Sequence, residues 1–172
     1  MDSTMTNTER KRIVSVLMEN APGALSRVVG LFAQRGYNID SLNVAPTNDP
    51  SLSRLTLTSV CSDYVTEQVT KQLNKLIDVV KVQDITEGPH IERELMLVKV
   101  MAKGDARAEI KRCADIFRGQ IVDVSSNYYT VLVEGDASKL DAFVEALADM
   151  RVLEVVRSGV CGIARSEKAL SI

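Results

Sequence analysis

Apolar positions recur along the chain in two alternating rhythms. Residues 12–18 are dense in Ile, Val and Leu, the composition of a buried strand. Leu25, Val28, Val29 and Phe32 then fall at i, i+3, i+4 and i+7, one helical stripe. Gly36 stands where a helix-ending glycine belongs. Residues 38–45 read as a second strand ending at Pro46. The turn-rich run Thr47-Asn48-Asp49-Pro50-Ser51 leads into a strand over 55–60. There Leu55 and Leu57 alternate with Thr56 and Thr58, as in a sheet with one solvated face. Val65, Val69, Leu73 and Leu76 share one face of a second helix, and residues 79–85 close the unit as a strand.

The order β-α-β-β-α-β is complete in about 75 residues, the ferredoxin-like split arrangement. Gly88-Pro89-His90 punctuates the chain, and the pattern begins again. Residues 95–100 form a strand and Lys103-Gly104-Asp105 a turn. Ile110, Cys113, Ala114 and Phe117 repeat the helical stripe, and Gly119 ends it. Strands over 120–124 and 128–134 flank Ser125-Ser126-Asn127. Leu140, Phe143, Val144 and Leu147 mark a fourth helix, and residues 152–156 a last strand, with a short tail after Gly162. The fold class is therefore α+β, two tandem ferredoxin-like (βαββαβ) domains whose antiparallel sheets carry helices on one face. The expected boundaries are a flexible arm at 1–11, a first domain at 12–87, a linker at 88–93, a second domain at 94–165 and a tail at 166–172. Domains this small bury only about 60% of their unfolded surface. Each is expected to need a partner against its open sheet face or edge, with a dimer as the default.

Charge and composition narrow the function. The 172 residues carry 21 Lys+Arg against 23 Asp+Glu, net −2, with both signs interspersed. That argues against a nucleic-acid backbone as the main partner. No apolar run reaches a membrane span, and the polar start of the chain lacks the apolar core of a signal peptide. Three cysteines without a C-x-x-C pair point to a reducing compartment, so the expected location is cytoplasmic. Cys61, Cys113 and Cys161 read as small core residues. His90, the one histidine, excludes a multi-histidine metal site within one chain. The acidic residues read as scattered over helix surfaces, with no catalytic carboxylate pair. An RNA-recognition module shares the fold order, but the strand Leu55-Thr56-Leu57-Thr58 has no aromatic residue, and Tyr128-Tyr129 reads as a packed strand start.

The sharper signal is Asn20-Ala21-Pro22-Gly23-Ala24-Leu25-Ser26-Arg27, between the first strand and first helix. Pro22 suits a helix start, and Gly23 permits close backbone approach. The first N–H groups of the helix would point outward, suited to a small carboxylate or phosphate. Any strand-to-helix junction needs a turn, so both a structural and a ligand-binding reading stand. Asn20 adds an amide, and Asn38-Ile39 sets a polar group beside an apolar one at the adjacent strand. The matching turn of the second half, Lys103-Gly104-Asp105-Ala106-Arg107, lacks these features. That asymmetry suits a sensor domain joined to a coupling domain.

Arg12-Ile13-Val14-Ser15-Val16-Leu17, the Asn20–Arg27 turn and Gly36-Tyr37-Asn38-Ile39-Asp40-Ser41-Leu42 resemble the N-terminal ACT domain of the acetohydroxyacid synthase (acetolactate synthase) regulatory small-subunit family. His90-Ile91-Glu92-Arg93-Glu94-Leu95-Met96-Leu97-Val98-Lys99, Ile116-Phe117-Arg118-Gly119 and Arg157-Ser158-Gly159 continue the likeness into an ACT-like second domain. The resemblance implies a non-catalytic chain in branched-chain amino acid biosynthesis, with no cofactor of its own. Its implied partner is a large catalytic subunit carrying thiamine diphosphate, Mg2+ and FAD. It would activate that subunit and confer feedback inhibition by valine. It also implies a homodimer through the ACT domains, with effector sites where two of them meet. Asn20, Gly23, Ala24 and Leu25 would come from one chain, and Asn38 and Ile39 from the other. The effector carboxylate would take N–H groups near Gly23 to Leu25, Asn20 and Asn38 its polar head, and Leu25 and Ile39 its side chain. A stand-alone amino-acid-sensing ACT regulator is the alternative, and an RNA module the third reading.

Overall fold

Alternation along β1 (Arg10–Glu19) sends Val14, Val16 and Met18 to one face of a sheet and Ser15 and Leu17 to the other. The chain continues through α1 (Ala24–Gln34), β2 (Ser41–Pro46), β3 (Leu52–Cys61), α2 (Asp63–Leu73) and β4 (Val79–Asp84). The strands pair antiparallel in the order β2-β3-β1-β4. Both helices cover one face, where Ala24, Val28, Phe32, Val69 and Leu73 pack on Val14, Val16, Met18, Leu55 and Leu57. The side chain of Ser62 caps α2 by accepting from Val65 N. The computed structural model describes residues 8–165, 167 and 169–171. It divides into Met1–Ile91 with Val160–Ile172 as one unit and Glu92–Gly159 as another.

The second unit repeats the order with β5 (His90–Met101), α3 (Ala106–Ile116), β6 (Gln120–Val124), β7 (Tyr128–Gly135), α4 (Ala137–Ala146) and β8 (Val152–Arg157). Its sheet runs β6-β7-β5-β8. Ile110, Cys113, Ala114, Leu140, Phe143 and Leu147 close over Met96, Val98, Val100, Val131 and Val133. Phe117 meets Phe143 edge-on at 5.4 Å between ring centres. Asp136 caps α4 by accepting from Lys139 N at 2.9 Å. The opposite face of this sheet leaves Leu95 and Val156 exposed.

The two tandem βαββαβ sandwiches agree with the pattern, and several details differ. Residues 1–7 of the expected arm lie outside the described residues, while Arg10 and Lys11 belong to β1 because β3 is long enough to pair them with Cys61 and Val60. The expected linker at 88–93 shrinks to the Gly88-Pro89 turn, since β5 starts at His90. The α1 stripe is Ala24, Val28 and Phe32; Leu25 is instead exposed. Asn38 and Ile39 precede β2 rather than opening it.

The larger correction concerns the end of the chain. The expected 94–165 domain stops at Gly159, and the following segment belongs to the first unit. Here lies β9 (Cys161–Ala164), and Arg165 N donates to Pro89 O at 2.8 Å within the same unit. Arg54 Nη2 donates to Gly162 O at 2.8 Å, and Leu170 packs on Leu17 and Leu52. A Cβ at Gly162 would stand 2.6 Å from Ile85 Cδ1, so glycine admits the close approach. Of the expected tail, residues 166, 168 and 172 lie outside the described residues; Lys81 Nζ donates to Ala169 O and Ser171 O. The outer face of the first sheet is thus covered in part by its own chain. Among the described residues no helix is long and apolar enough to cross a membrane.

Phe143 is fully buried in the second core, so Phe143→Ala is expected to cost about 3–5 kcal/mol of stability. Urea denaturation followed by circular dichroism measures this, and a loss below about 1 kcal/mol would contradict the packing described.

Candidate functional site

Gly23 adopts φ 86°, the left-handed region, and forms the N-cap of α1 without a side-chain hydrogen bond. Ala24 N donates to Ala21 O at 3.2 Å and Arg27 N to Gly23 O at 3.0 Å. Among the described residues no backbone carbonyl accepts from the N–H groups of Leu25 and Ser26. The turn therefore offers two outward donors at the partial-positive end of a helix. Asn20 is tied to the loop between β2 and β3, its N donating to Ser51 O at 2.7 Å and its Nδ2 to Pro50 O at 3.0 Å. Ala24 is buried and presents backbone alone; Leu25 presents an exposed side chain.

A two-pronged ion pair holds the turn. Arg27 Nε and Nη2 donate to the two carboxylate oxygens of Asp78, the latter at 3.0 Å. The hydrogen bonds from Arg27 hold the Asp78 carboxyl below its usual value, and Asp78 raises the Arg27 guanidinium. Asp78 O also accepts from Glu19 N at 2.8 Å, so one residue braces both sides of the turn. A Cβ on Gly23 would meet Arg27 Nη1 at 3.2 Å. Asp78 lies 51 positions from Arg27, between α2 and β4, and no sequence pattern links them.

Asn38 and Ile39 occupy the connection between α1 and β2. Asn38 is exposed; its Nδ2 donates to Asp40 Oδ1 at 2.7 Å, and its carbonyl accepts from Ser59 Oγ at 2.6 Å. Ile39 is half-buried against the first core. The structure does not bring these two residues to the Asn20–Leu25 turn. The turn precedes α1 and Asn38 follows it, and 11 helical residues span about 16 Å. Strand register repeats the separation: Ser59, which holds Asn38, pairs with Arg12, whereas Asn20 follows the other end of β1. Each half is open by itself. A groove of ≈ 530 Å³ lined by Gly23, Arg27, Leu31 and Lys75 runs along α1, but neither Asn38 nor Ile39 lines it.

Other candidate chemistry resolves differently. Cys113 is buried, and burial pushes its thiol up; Cys61 is half-buried, while Cys161 is exposed on β9 and is not a core residue. The acidic residues are not all scattered. Asp63, Asp84 and Glu87 converge on buried Arg12, whose Nε is unpaired among the described residues. Tyr129 packs on the second core with the Arg107 guanidinium 4.9 Å from its ring centre. Among the described residues no group of three His, Cys, Asp or Glu is placed to hold a metal ion.

Because Asp78 is ionised to lower pH than a free aspartate, its contribution to stability is complete above about pH 3.9. It is lost as pH falls through the lower folded value. Asp78→Asn is expected to flatten the acid limb of stability, followed by thermal melts between pH 2 and 6 (roughly the carboxylate range). Identical acid limbs in wild type and variant would contradict the pairing.

A family model described as the AHAS small subunit-like ACT domain matches residues 14–81, and one described as the small subunit of acetolactate synthase matches 93–166. The chain is 55% identical over 161 residues to the acetolactate synthase isozyme 3 small subunit of Salmonella typhimurium, covering 93% of this chain and 99% of that relative. It is 57% identical over 159 residues to the acetolactate synthase small subunit of Haemophilus influenzae, covering 92% and 98%. The crystal structure of the acetolactate synthase small subunit from Thermotoga maritima superposes with a TM-score of 0.84 at 38% identity, covering 92% of this chain and 99% of that one. With both domain models matched in order and relatives alike over nearly their full length, this chain belongs to the acetolactate synthase small-subunit family.

Proposed function

We propose that this chain is a regulatory, non-catalytic subunit that activates a large acetolactate synthase subunit and makes it sensitive to valine, within branched-chain amino acid biosynthesis. The catalytic partner, and not this chain, would hold thiamine diphosphate, Mg2+ and FAD. The effector site is formed by two copies of the chain. One supplies the Asn20–Leu25 turn, and the other supplies Asn38 and Ile39. The observation that carries this reading is the placement of those two groups at opposite ends of α1, each open and neither able to reach the other.

Edge geometry supports the same arrangement. β2 is an edge strand, with Asn38 and Ile39 just before its start and, beyond its end, the loop that holds Asn20. Antiparallel pairing of β2 with its copy about a two-fold axis sets the start of one strand beside the end of the other. The turn of one chain then faces Asn38 of the second. Valine's carboxylate takes the free N–H groups of Leu25 and Ser26, and its isopropyl group rests against Leu25 and Ile39. One methylene in such a niche discriminates by about 1–3 kcal/mol, so leucine and isoleucine act as weaker mimics. Binding inhibits by favouring one arrangement of the two-chain unit over another.

Gly23→Asp sets a carboxylate where the effector's anion would lie, and aspartate tolerates the left-handed backbone better than most residues. The variant is expected to stay folded and activating while valine inhibition shifts about tenfold or more to higher concentration. Asn38→Ala is expected to weaken valine binding with little loss of stability. Acetolactate formation by the matching large subunit, with and without this chain and valine, tests the whole reading. Absence of both stimulation and valine response would overturn it and favour a stand-alone sensor.

A further inference from the structure

The outer face of the first sheet carries a cleft of ≈ 550 Å³, within the size range of small-molecule sites. Strand register sets its floor. Ala45, Arg54 and Leu17 stand in one row across β2, β3 and β1, and Asn43, Thr56 and Ser15 in the next. Leu52 and Leu170 join Leu17 as an apolar wall, and Cys161 and Gly162 of β9 complete the lining.

Arg54 is the unusual member. It is half-buried, and its Nη2 donates to Gly162 O at 2.8 Å and Ser15 Oγ at 3.3 Å, both neutral acceptors. Among the described residues it has no ion pair with a carboxylate. Burial pulls its guanidinium below the usual value, against a smaller upward pull from the Cys161 sulfur. A cation taken from water without a counter-ion is costly, and a carboxylate is the planar anion its fork fits. Thr56 and Asn43 place further polar groups on the same face, Thr56 being buried. Asp49 also lines the cleft, its Oδ1 accepting from Ser51 N at 2.9 Å and Ser51 Oγ at 2.7 Å, bonds that hold it ionised. That fixed negative charge disfavours a doubly charged guest.

We propose that this cleft binds a small aliphatic monocarboxylate, with its carboxylate on Arg54 and its hydrocarbon against Leu17, Leu52 and Leu170. The site is separate from the effector half-sites: none of Asn20, Gly23, Ala24, Leu25, Asn38 and Ile39 lines it. Its occupant bridges the sheet and the C-terminal segment, and so stabilises the cover over the outer face.

Cys161 supplies a local reporter, being exposed and part of the lining, while Cys113 is buried and Cys61 half-buried. In the full-length protein, 4-methylpentanoate is expected to slow thiol labelling at Cys161 saturably, read by site-resolved mass spectrometry. Arg54→Gln is expected to raise the half-protecting concentration about tenfold or more. Ala45→Leu, opposite Arg54, fills the cleft while keeping the guanidinium, and is expected to abolish protection even if Arg54→Gln folds poorly. Inorganic phosphate is expected to give none. Gly23→Asp is expected to leave protection as in wild type, so this result stands apart from the valine reading. No saturable protection, equal protection in Arg54→Gln, or protection by phosphate to the same degree would overturn the proposal.

Discussion

The unbroken pairing of β1 with β3, from Arg10 opposite Cys61 to Glu19 opposite Leu52, sets the spacing on which the first unit depends. A ladder of that length cannot bend its ends together, and α1 returns over it as a straight rod. The turn directly after Glu19 is therefore held at one end of the sheet, and the segment beside Arg12 and Ser59 at the other. The Asn20–Leu25 turn and Asn38-Ile39 inherit those opposite positions. A single chain has no route to close a ligand between them; the proposed second copy, related by a two-fold axis, would supply one.

The two units share an element order and differ where their first turns are braced. In the first, Gly23 bends left-handed and Arg27 reaches back to Asp78, leaving the start of α1 open. In the second, Gly104 is also left-handed, but Arg107 donates to the carbonyls of Ser125 and Ser126 and lies over Tyr129. An arginine just past the glycine, four residues on at Arg27 and three residues on at Arg107, is tied to a carboxylate in one unit and to neutral groups in the other. The charge is thus cancelled beside the open turn and spent on local packing in its counterpart. This physical asymmetry accords with a ligand site in the first unit alone.

Much of this was legible in the residues because periodicity reports burial directly. Leu55 and Leu57 against Thr56 and Thr58 announced a strand, although the expected solvated face is not found there: Thr56 and Thr58 are buried too. Leu140, Phe143 and Leu147 marked a helix face, since a helix must bury one side. The turn at Gly23 was legible because its left-handed backbone favours glycine. What was hidden depends on distant pairing. Asp78 meets Arg27, and Asp63, Asp84 and Glu87 meet Arg12, through contacts that no local pattern encodes. The return of the C-terminal segment to the first unit was equally invisible, because Gly162 and Leu170 acquire meaning only beside Ile85, Leu17 and Leu52. The spacing of Leu25 fits the α1 stripe, yet Leu25 is exposed; Ala24, smaller and one position earlier, fills that place in the core.

The proposed two-chain origin of the effector site is tested most directly by mixing lesions. A heterodimer of one Gly23→Asp chain and one Asn38→Ala chain retains one site whose turn and Asn38 are both intact, and one site damaged twice. Titration calorimetry with valine on the purified heterodimer is expected to find one wild-type-affinity site per dimer, where each homodimeric variant has none. A heterodimer that binds valine no better than the two parent variants would contradict the account.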